Sequence, residues 1–436
     1  MKKLALLLPA FLLSLGLSAQ QPDSVLLLPD EAVRIALANN YDIELARTDA
    51  DIARLNNTRG NAGMLPNVSL VAGDNATFNA VQVQNLADGR HIEAYGVFSN
   101  TVNASVQLEW TLFDGGRMYI AKKRLAELEA LGQLDLRATV QQTSAAVLLS
   151  YYDIVRSRQQ ERALAEVIAL NEERLRIAEA RLAAGMAAQT DALQARIDLN
   201  QRRADLLAQQ NATASAKREL NRLLARDPGT RFGIDESLQT SWNPDRDALL
   251  QKIQSQNPSL LALQKSADVA ALSVEEAQTL NKPRISGLGQ FGGQRTDNGA
   301  GFLLNTFSTG LTVGAGLQLP LYSGGNIRRQ VDVAKVQAQQ AAVRLDAQRL
   351  NLNTALDDQL AFYQTQRSAL VLEEENVRNA RENLNVSTER FRLGQTNALE
   401  TQTAQNSLEQ ALLRRNLALY NLKVGELQLR LLAGEL

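Results

Sequence analysis

The sequence predicts a mainly α-helical chain that also carries four membrane β-strands and is built as a tandem internal repeat. Three observations predict it. The stretch "LEWTLFDGGRMYIAKKR" opens as a strand, breaks at Gly115 and Gly116 and continues as helix, and "LQLPLYSGGNIRRQVDV" does the same around Gly324 and Gly325. Each glycine pair is followed by a proline-free run of helix formers, Arg117 to Ala184 and Asn326 to Leu393. At ~1.5 Å per residue each run reaches roughly 100 Å, a rod that needs neighbours along its whole length. Before the first pair, Val102, Ala104, Val106, Leu108, Trp110 and Leu112 alternate with Asn103, Ser105, Gln107, Glu109 and Thr111, the period of a strand with one apolar face.

The elements follow in order. Lys2 and Lys3, an apolar run from Leu4 to Leu17 and the small residues Ser18 and Ala19 read as a secretory signal peptide, residues 1–19, cleaved after Ala19. Aligning the glycine pairs sets an offset of 209 residues, which also carries Arg181-Leu182-Ala183-Ala184-Gly185 onto Arg390-Phe391-Arg392-Leu393-Gly394, and Asp191 onto Glu400. Upstream the offset is 217: Asn40 falls on Asn257, and "LPNV" from Leu65 on "KPRI" from Lys282. The eight-residue difference gives the first copy a longer loop between its strands. The repeats are residues 20–226 and 245–436, and the linker, residues 227–244, is broken by Pro228, Gly229, Gly233 and Pro244.

Each repeat begins with a helix, about Asp30 to Gly63 and about Asp245 to Asn281, stopped before Pro66 and Pro283. Two strands follow, about residues 67–78 and 101–113 in the first repeat and 284–293 and 309–322 in the second, where Leu311, Val313, Ala315, Leu317, Leu319 and Leu321 share a face. Alternation over ~10–12 residues with an aromatic near the end, Trp110 or Tyr322, suits the wall of a membrane barrel. An antiparallel sheet on a soluble α+β protein is the alternative. After each long helix, Gly185 or Gly394 supplies the left-handed turn. Thr190 or Asp191 is placed to cap the helix that returns to about Ala225, and the second return helix runs to near Leu432.

Composition removes several function classes. Without the signal the chain holds 44 basic residues (46 less Lys2 and Lys3) against 47 acidic, which argues against a nucleic-acid partner. There is no cysteine, so no disulfide and no lipid-modified N-terminal cysteine is expected. "GLGQFG" from Gly287 satisfies a dinucleotide-binding pattern, but no helix opens behind it, and small residues in a barrel strand explain it better. His91, the single histidine, is expected in a surface loop and cannot anchor a zinc site alone. No nucleophile, base and orienting group assemble, so no enzyme activity and no cofactor are expected.

Four strands cannot close a barrel, for which about eight is the practical minimum. The chain must share its barrel, with two copies giving eight strands or three giving twelve. The shorter helices, stacked end to end, would form pseudo-continuous rods beside the long ones, and the glycine pairs would hand a β-barrel wall to an α-helical barrel.

Across essentially all of its mature length the chain resembles the TolC-like outer-membrane efflux proteins. The residues carrying the resemblance are "DEAVRIALANNYDIELAR" from Asp30, "NPSLLAL" from Asn257, "LFDGGR" from Leu112 and "LYSGGN" from Leu321, with "RLAAGMAAQTDALQA" from Arg181 and "RFRLGQTNALETQTA" from Arg390. The resemblance implies a homotrimer in the outer membrane of a Gram-negative bacterium, a twelve-stranded barrel continuous with a periplasmic tunnel of twelve helices. It implies a passive exit duct for drugs, other toxic compounds or secreted polypeptides, coupled through a periplasmic adaptor (membrane fusion) protein to an inner-membrane pump of the RND or ABC type. It places Arg181, Leu182, Gly185, Arg390, Phe391 and Gly394 at the tip that receives the adaptor, and Asp191 and Glu400 at the gate. Thr396 and Thr403 depart from residues that some members carry there. The residues themselves leave open whether Asp191 and Glu400 form an anionic ring or are helix-end carboxylates. A pump-independent porin-like or structural outer-membrane protein is the alternative function. A soluble coiled-coil adaptor would lack the four strands.

Overall fold

The computed structural model of the chain describes residues 26–238, 241–301 and 303–436; the expected signal peptide lies outside the described residues. The elements are β1 (Leu26–Leu27), α1 (Pro29–Asn39), α2 (Tyr41–Asn56), β2 (Asn67–Asn85), β3 (His91–Phe113), α3 (Arg117–Ala183) and α4 (Gln189–Leu223), then β4 (Gly233–Ile234), α5 (Arg246–Gln256), α6 (Pro258–Gln278), β5 (Arg284–Asn298), β6 (Asn305–Gln318), α7 (Asn326–Arg392) and α8 (Ala398–Ala433). The long helices α3 and α7 are unbroken over 67 residues each.

The first helix of each repeat is expected as one rod and is found as two, cut at Asn40 and at Asn257. The cut is a capping device. The Asn40 Oδ1 accepts from the backbone N–H of Asp42 and Ile43, which starts α2, while its amide nitrogen donates to the Leu223 carbonyl at the end of α4, 2.8 Å away. Asn257 does the same: Oδ1 accepts from Leu260 N–H and the amide donates to the Leu432 carbonyl at 2.9 Å. Pro258 at the first position of α6 fits a helix start, where no N–H is needed. One side chain thus satisfies the start of one helix and the end of another. The pairs α4–α2 and α8–α6 are stacked rods beside α3 and α7.

The strands pair antiparallel in the order β2-β3-β5-β6. They outrun the alternating segments: β2 continues to Asn85 and β3 starts at His91, because a hairpin ladder pairs backbone and tolerates the polar side chains there. His91 is therefore an exposed strand end opposite Asn85 and not a loop residue. β6 differs the other way, stopping at Gln318 and leaving Leu321 and Tyr322 90% and 89% exposed.

One face of the sheet carries Val68, Leu70, Leu108, Val106, Phe291, Leu311 and Val313, and the other Asn67, Gln107, Gln290, Gln294 and Thr312. The apolar face begins at Trp110, whose indole N–H donates to the Met64 carbonyl. It is interrupted at the row Asp74–Val102–Arg295–Phe307, eight residues up. At ~3.4 Å per residue and a tilt of ~40° this is a band of roughly 20 Å, near the ~25 Å of outer-membrane barrels.

The core is a string of clusters along the rods. The first repeat buries Ala32, Val147, Tyr151, Ile154 and Leu220 at mid-height, and the second buries Ile253, Leu260, Leu356, Tyr363 and Leu422. The linker is not a free spacer. Phe232 is buried in the first cluster, and the Tyr151 hydroxyl donates to the Leu27 carbonyl and accepts from Asp235 N–H, both at 2.9 Å. Trp242 stacks edge-on against Tyr363, whose hydroxyl donates to the Trp242 carbonyl at 2.6 Å. The described parts of the linker lie against both repeats, Phe232 against the first and Trp242 against the second.

Candidate functional site

Two regions combine special backbone with specific side chains: the strand-to-helix junctions and the far tip of the rods. At the junctions Gly115 and Gly116 have φ of 73° and 92°, and Gly324 and Gly325 have 61° and 77°. Two successive left-handed residues turn an extended chain into a helix, and side chains resist that conformation. A Cβ on Gly115 would also lie 2.4 Å from the Lys282 Cβ. The helix starts are capped from two residues before the helix-leading glycine. Asp114 accepts from Met118 N–H at 2.9 Å, and Ser323 Oγ accepts from Ile327 N–H at 3.3 Å. Beside the first junction a cavity of about 480 Å³ is walled by Arg117, Arg124, Glu276, Lys282 and Arg284, with Glu276 bridging Arg117 (3.0 Å) and Arg124 (2.9 Å).

At the tip, Gly185 and Gly394 have φ of 71° and 75°. Met186 N–H donates to the Arg181 carbonyl and Gln395 N–H to the Arg390 carbonyl, both at 2.8 Å, while the glycine N–H groups reach Leu182 and Phe391. Both turns therefore satisfy the last carbonyls of the long helices in the same pattern. The next helices start differently. α4 is led by Ala188, with no side-chain cap, so neither Thr190 nor Asp191 is the cap; both already lie inside the first turn. α8 is capped by Asn397, whose Oδ1 accepts from Glu400 N–H at 2.9 Å.

The two expected gate carboxylates are unequal. Glu400 pairs with Arg390 at 2.8 Å and accepts from the Thr396 hydroxyl. Asp191 has no ion pair among those found in the described residues and lines a cavity of about 180 Å³ with Arg174, Gln194, Asp198, Phe391 and Gln402. Arg181, the counterpart of Arg390, crosses between repeats: its guanidinium donates to the Phe391 carbonyl at 3.0 Å and lies 4.9 Å from the Phe391 ring centre. Phe391 is 2% exposed, so as a tip residue it packs inward and offers no surface to a partner. Leu182 packs against the small cluster of Ala178, Ala192 and Ala195. Solvent instead meets Met186, Leu393 and Leu399, each about two-thirds exposed. The only sequence signal for these three was apolar residues beside the glycine turns.

Sequence reasoning also missed Asp198. It pairs with Arg174, which is 4% exposed, and accepts from the side-chain amides of Gln194 and Gln402 at 2.8 Å, tying α3, α4 and α8 together. Arg202 on α4 reaches Glu409 on α8 at 3.0 Å; burial pushes the Glu409 carboxyl above the usual range, and Arg202 opposes it. No local motif marks the Asp198–Gln402 or Arg202–Glu409 contact, because each joins residues some 200 positions apart.

An antiparallel sheet with an apolar belt, continued through glycine pairs into helices of roughly 100 Å, defines an outer-membrane channel of the tunnel-forming kind. The family model described as "Outer membrane efflux protein" matches residues 32–226 and 249–435. The chain belongs to this family, and its place is the outer membrane. It is 25% identical over 320 residues to the outer membrane efflux protein BepC of Brucella suis, covering 71% of this chain and 67% of that one. It is 24% identical over 311 residues to the alkaline protease secretion protein AprF of Pseudomonas aeruginosa, covering 68% and 61%. The fold superposes on the outer membrane protein VceC of Vibrio cholerae with a TM-score of 0.76 at 18% identity, over 93% and 96% of the two chains. The family serves drug efflux or protein secretion.

Proposed function

We propose that three copies of this chain form a passive exit duct, a twelve-stranded barrel continued by a helical tunnel, which an inner-membrane pump loads through a periplasmic adaptor. One observation carries the reading: a four-stranded sheet with two open edges, joined twice to a rod by the same left-handed glycine pair. Open edges have no place in hydrocarbon, and the duplicated junction supplies two wall segments per copy. The cargo is a small toxic molecule or a secreted polypeptide; relatives named for efflux and for protease secretion support both classes. In a pump-independent porin the tip would need no partner-facing apolar residues, so the exposure of Met186, Leu393 and Leu399 favours the coupled duct. Pull-down of periplasmic adaptors on the intact trimer tests the coupling, and failure to retain any adaptor favours the porin reading.

The tip turns, Gly185 and Gly394 with Arg181, Leu182 and Arg390 behind them, are the adaptor-facing surface. Gly185→Glu combined with Gly394→Glu costs on the order of 1 kcal/mol or more at each turn, little against a long helical barrel. Trimer yield is expected to stay normal while cells lose drug tolerance. Unchanged tolerance would remove the tip from the coupling surface.

The gate charge is proposed to rest mainly on Asp191, since Arg390 already neutralises Glu400. In planar bilayers Asp191→Asn is expected to lower cation selectivity and to relieve block by multivalent cations added from the tip side, with Glu400→Gln having the smaller effect. Equal selectivity and block in wild type and Asp191→Asn would reduce Asp191 to a helix-end charge.

A further inference from the structure

The cavity beside the first junction is lined by four cationic side chains, Arg117, Arg124, Lys282 and Arg284, and by two carboxylates, Asp114 and Glu276. Four positive charges less two negative leave a surplus of two. Both carboxylates are already engaged. Asp114 accepts from Met118 N–H with its two oxygens, at 3.2 and 2.9 Å, so the start of α3 is closed to any other anion. Glu276 gives one oxygen to Arg117 Nε and the other to Arg124 Nε. Each arginine is thus oriented through its Nε alone, and among the described residues neither puts its Nη groups into a hydrogen bond. Lys282 is held by its Nζ donating to the Gly115 carbonyl at 3.2 Å, and Arg284 by its Nη2 donating to Thr111 Oγ1 at 3.1 Å. A guanidinium has five N–H donors and an ammonium three. The four cations are therefore fixed in place with most of their donors still available.

The fold does not require this cluster. Both repeats make the same strand-to-helix turn on a glycine pair. Under the repeat offsets, however, Arg117, Arg124, Lys282 and Arg284 fall on Asn326, Val333, Leu65 and Asn67, none of them charged. Like charges gathered around one cavity repel, and the second junction shows that the turn forms without them. The cavity also has a definite side. Thr111, Arg284 and Gln318 stand on the polar face of the sheet, with Gln107 and Gln290, and away from the apolar belt. Its volume, about 480 Å³, lies within the range of small-molecule sites.

We propose that this cavity binds a soluble phosphate-type dianion, held mainly by Arg124 from α3 and Arg284 from β5, with Arg117 and Lys282 completing the charge. A guanidinium presents paired N–H groups that match two oxygens of one phosphoryl group. A phosphate monoester carries about −1.5 to −2 near neutral pH, which balances the surplus of two. A membrane phospholipid would approach from the apolar face, with which the cavity shares no cationic side chain, so the anion comes from water. The polar face is the inner wall of the duct proposed above, and the place of the site in that duct rests on that reading; the fit of the cations to the anion does not. Binding would tie α3, α6 and β5 together at the level where the rods meet the sheet.

Inorganic phosphate is the probe, titrated calorimetrically into the full-length protein in a neutral detergent at low salt and mildly alkaline pH. Saturable binding is expected for the wild type. Arg124→Gln with Arg284→Gln should weaken it by about ten-fold or more, since each removes a charge-assisted bond. Arg124→Lys with Arg284→Lys, which keeps charge and loses the paired donors, should fall between the two. Arg328→Gln with Arg329→Gln, beside the second junction, should bind as the wild type does. Thermal melting in the same detergent checks that the glutamine variants are folded. If the double variant melts early, the single variant Arg284→Gln, whose side chain is exposed, carries the test with a smaller loss. No saturable binding by folded wild type, or equal binding in wild type and the glutamine variants, would overturn the site and leave the duct standing. Saturation by short-chain phosphatidylglycerol but not by phosphate would overturn the soluble source and give the cavity to a lipid headgroup. Phosphate binding by particles whose mass is not three chains would support the site and overturn the duct.

Discussion

Val106→Arg and Val313→Arg are each expected to abolish recovery of the protein from the outer membrane. Val106 sits between Leu70 and Phe291 on the apolar face, four residues above Trp110 and four below the polar row at Val102. It is thus at mid-depth of the belt, and Val313, opposite Gly289, lies one row of that face lower. An arginine on the lipid face near the midplane costs roughly 2–4 kcal/mol. Three copies bring that to about 6–12 kcal/mol per particle, comparable with the whole stability of an ordinary folded domain. The controls are Gln107→Arg and Thr312→Arg, one residue away on the opposite face, which should insert and trimerise normally. Normal insertion of the valine variants, or failure of the controls alone, would mean that the faces have been assigned the wrong way round.

The second large effect is expected at the mid-height joints. Asn40→Ala removes a helix cap, worth about 0.5–2 kcal/mol, and leaves the Leu223 carbonyl unpaired in a mostly buried setting, about 1–3 kcal/mol more. Asn257→Ala repeats the loss at Leu432. The double variant should be destabilised by roughly 3–10 kcal/mol per chain if the sites are independent. Heating in detergent reads this as trimer dissociation at a clearly lower temperature, and hydrogen exchange should open first in the initial turns of α2 and α6. Asn40→Asp separates the two bonds, since it keeps the acceptor for Asp42 and Ile43 but turns a carboxylate toward the Leu223 carbonyl. If the double alanine variant melts with the wild type, the joints do not hold the rods together.

These joints also mark where the sequence stopped being legible. The glycine pairs, the alternating faces and the proline-free rods are local patterns, while β2 ends seven residues beyond and β3 begins ten residues before the expected strand bounds. Asn40 and Asn257 were visible as repeat-equivalent residues, yet the break they make was not. Its cause is a carbonyl 183 or 175 positions away. The Gln402 bond to Asp198 and the Arg181 bond to the Phe391 carbonyl likewise cross from one repeat to the other. Leu319 to Tyr322 read as strand and lie outside it, since β6 ends at Gln318 on the open edge of the sheet. In the tip, the pattern located the turns and their glycines. Which carboxylate is neutralised depended on Arg390 pairing with Glu400 while Arg181 reaches across to Phe391.

The cut rods have a mechanical consequence. In α3 and α7 a rotation imposed at one end is handed on turn by turn, because each turn is hydrogen-bonded to the next. A straight helix drifts by ~20° per heptad against a strict seven-residue seam, so over 67 residues an unbroken shaft must coil to keep its contacts. The α4–α2 and α8–α6 rods are articulated: each pair of segments shares one asparagine amide, a link that bears load along the axis and transmits little torque. The phase of the packing restarts at each joint. The expected result is that α4 and α8 turn by a few degrees without rotating α2 and α6. Spin labels on α4 and α2 would register this as distance changes confined to the lower segment, and equal changes in both would show a rod that turns as one piece.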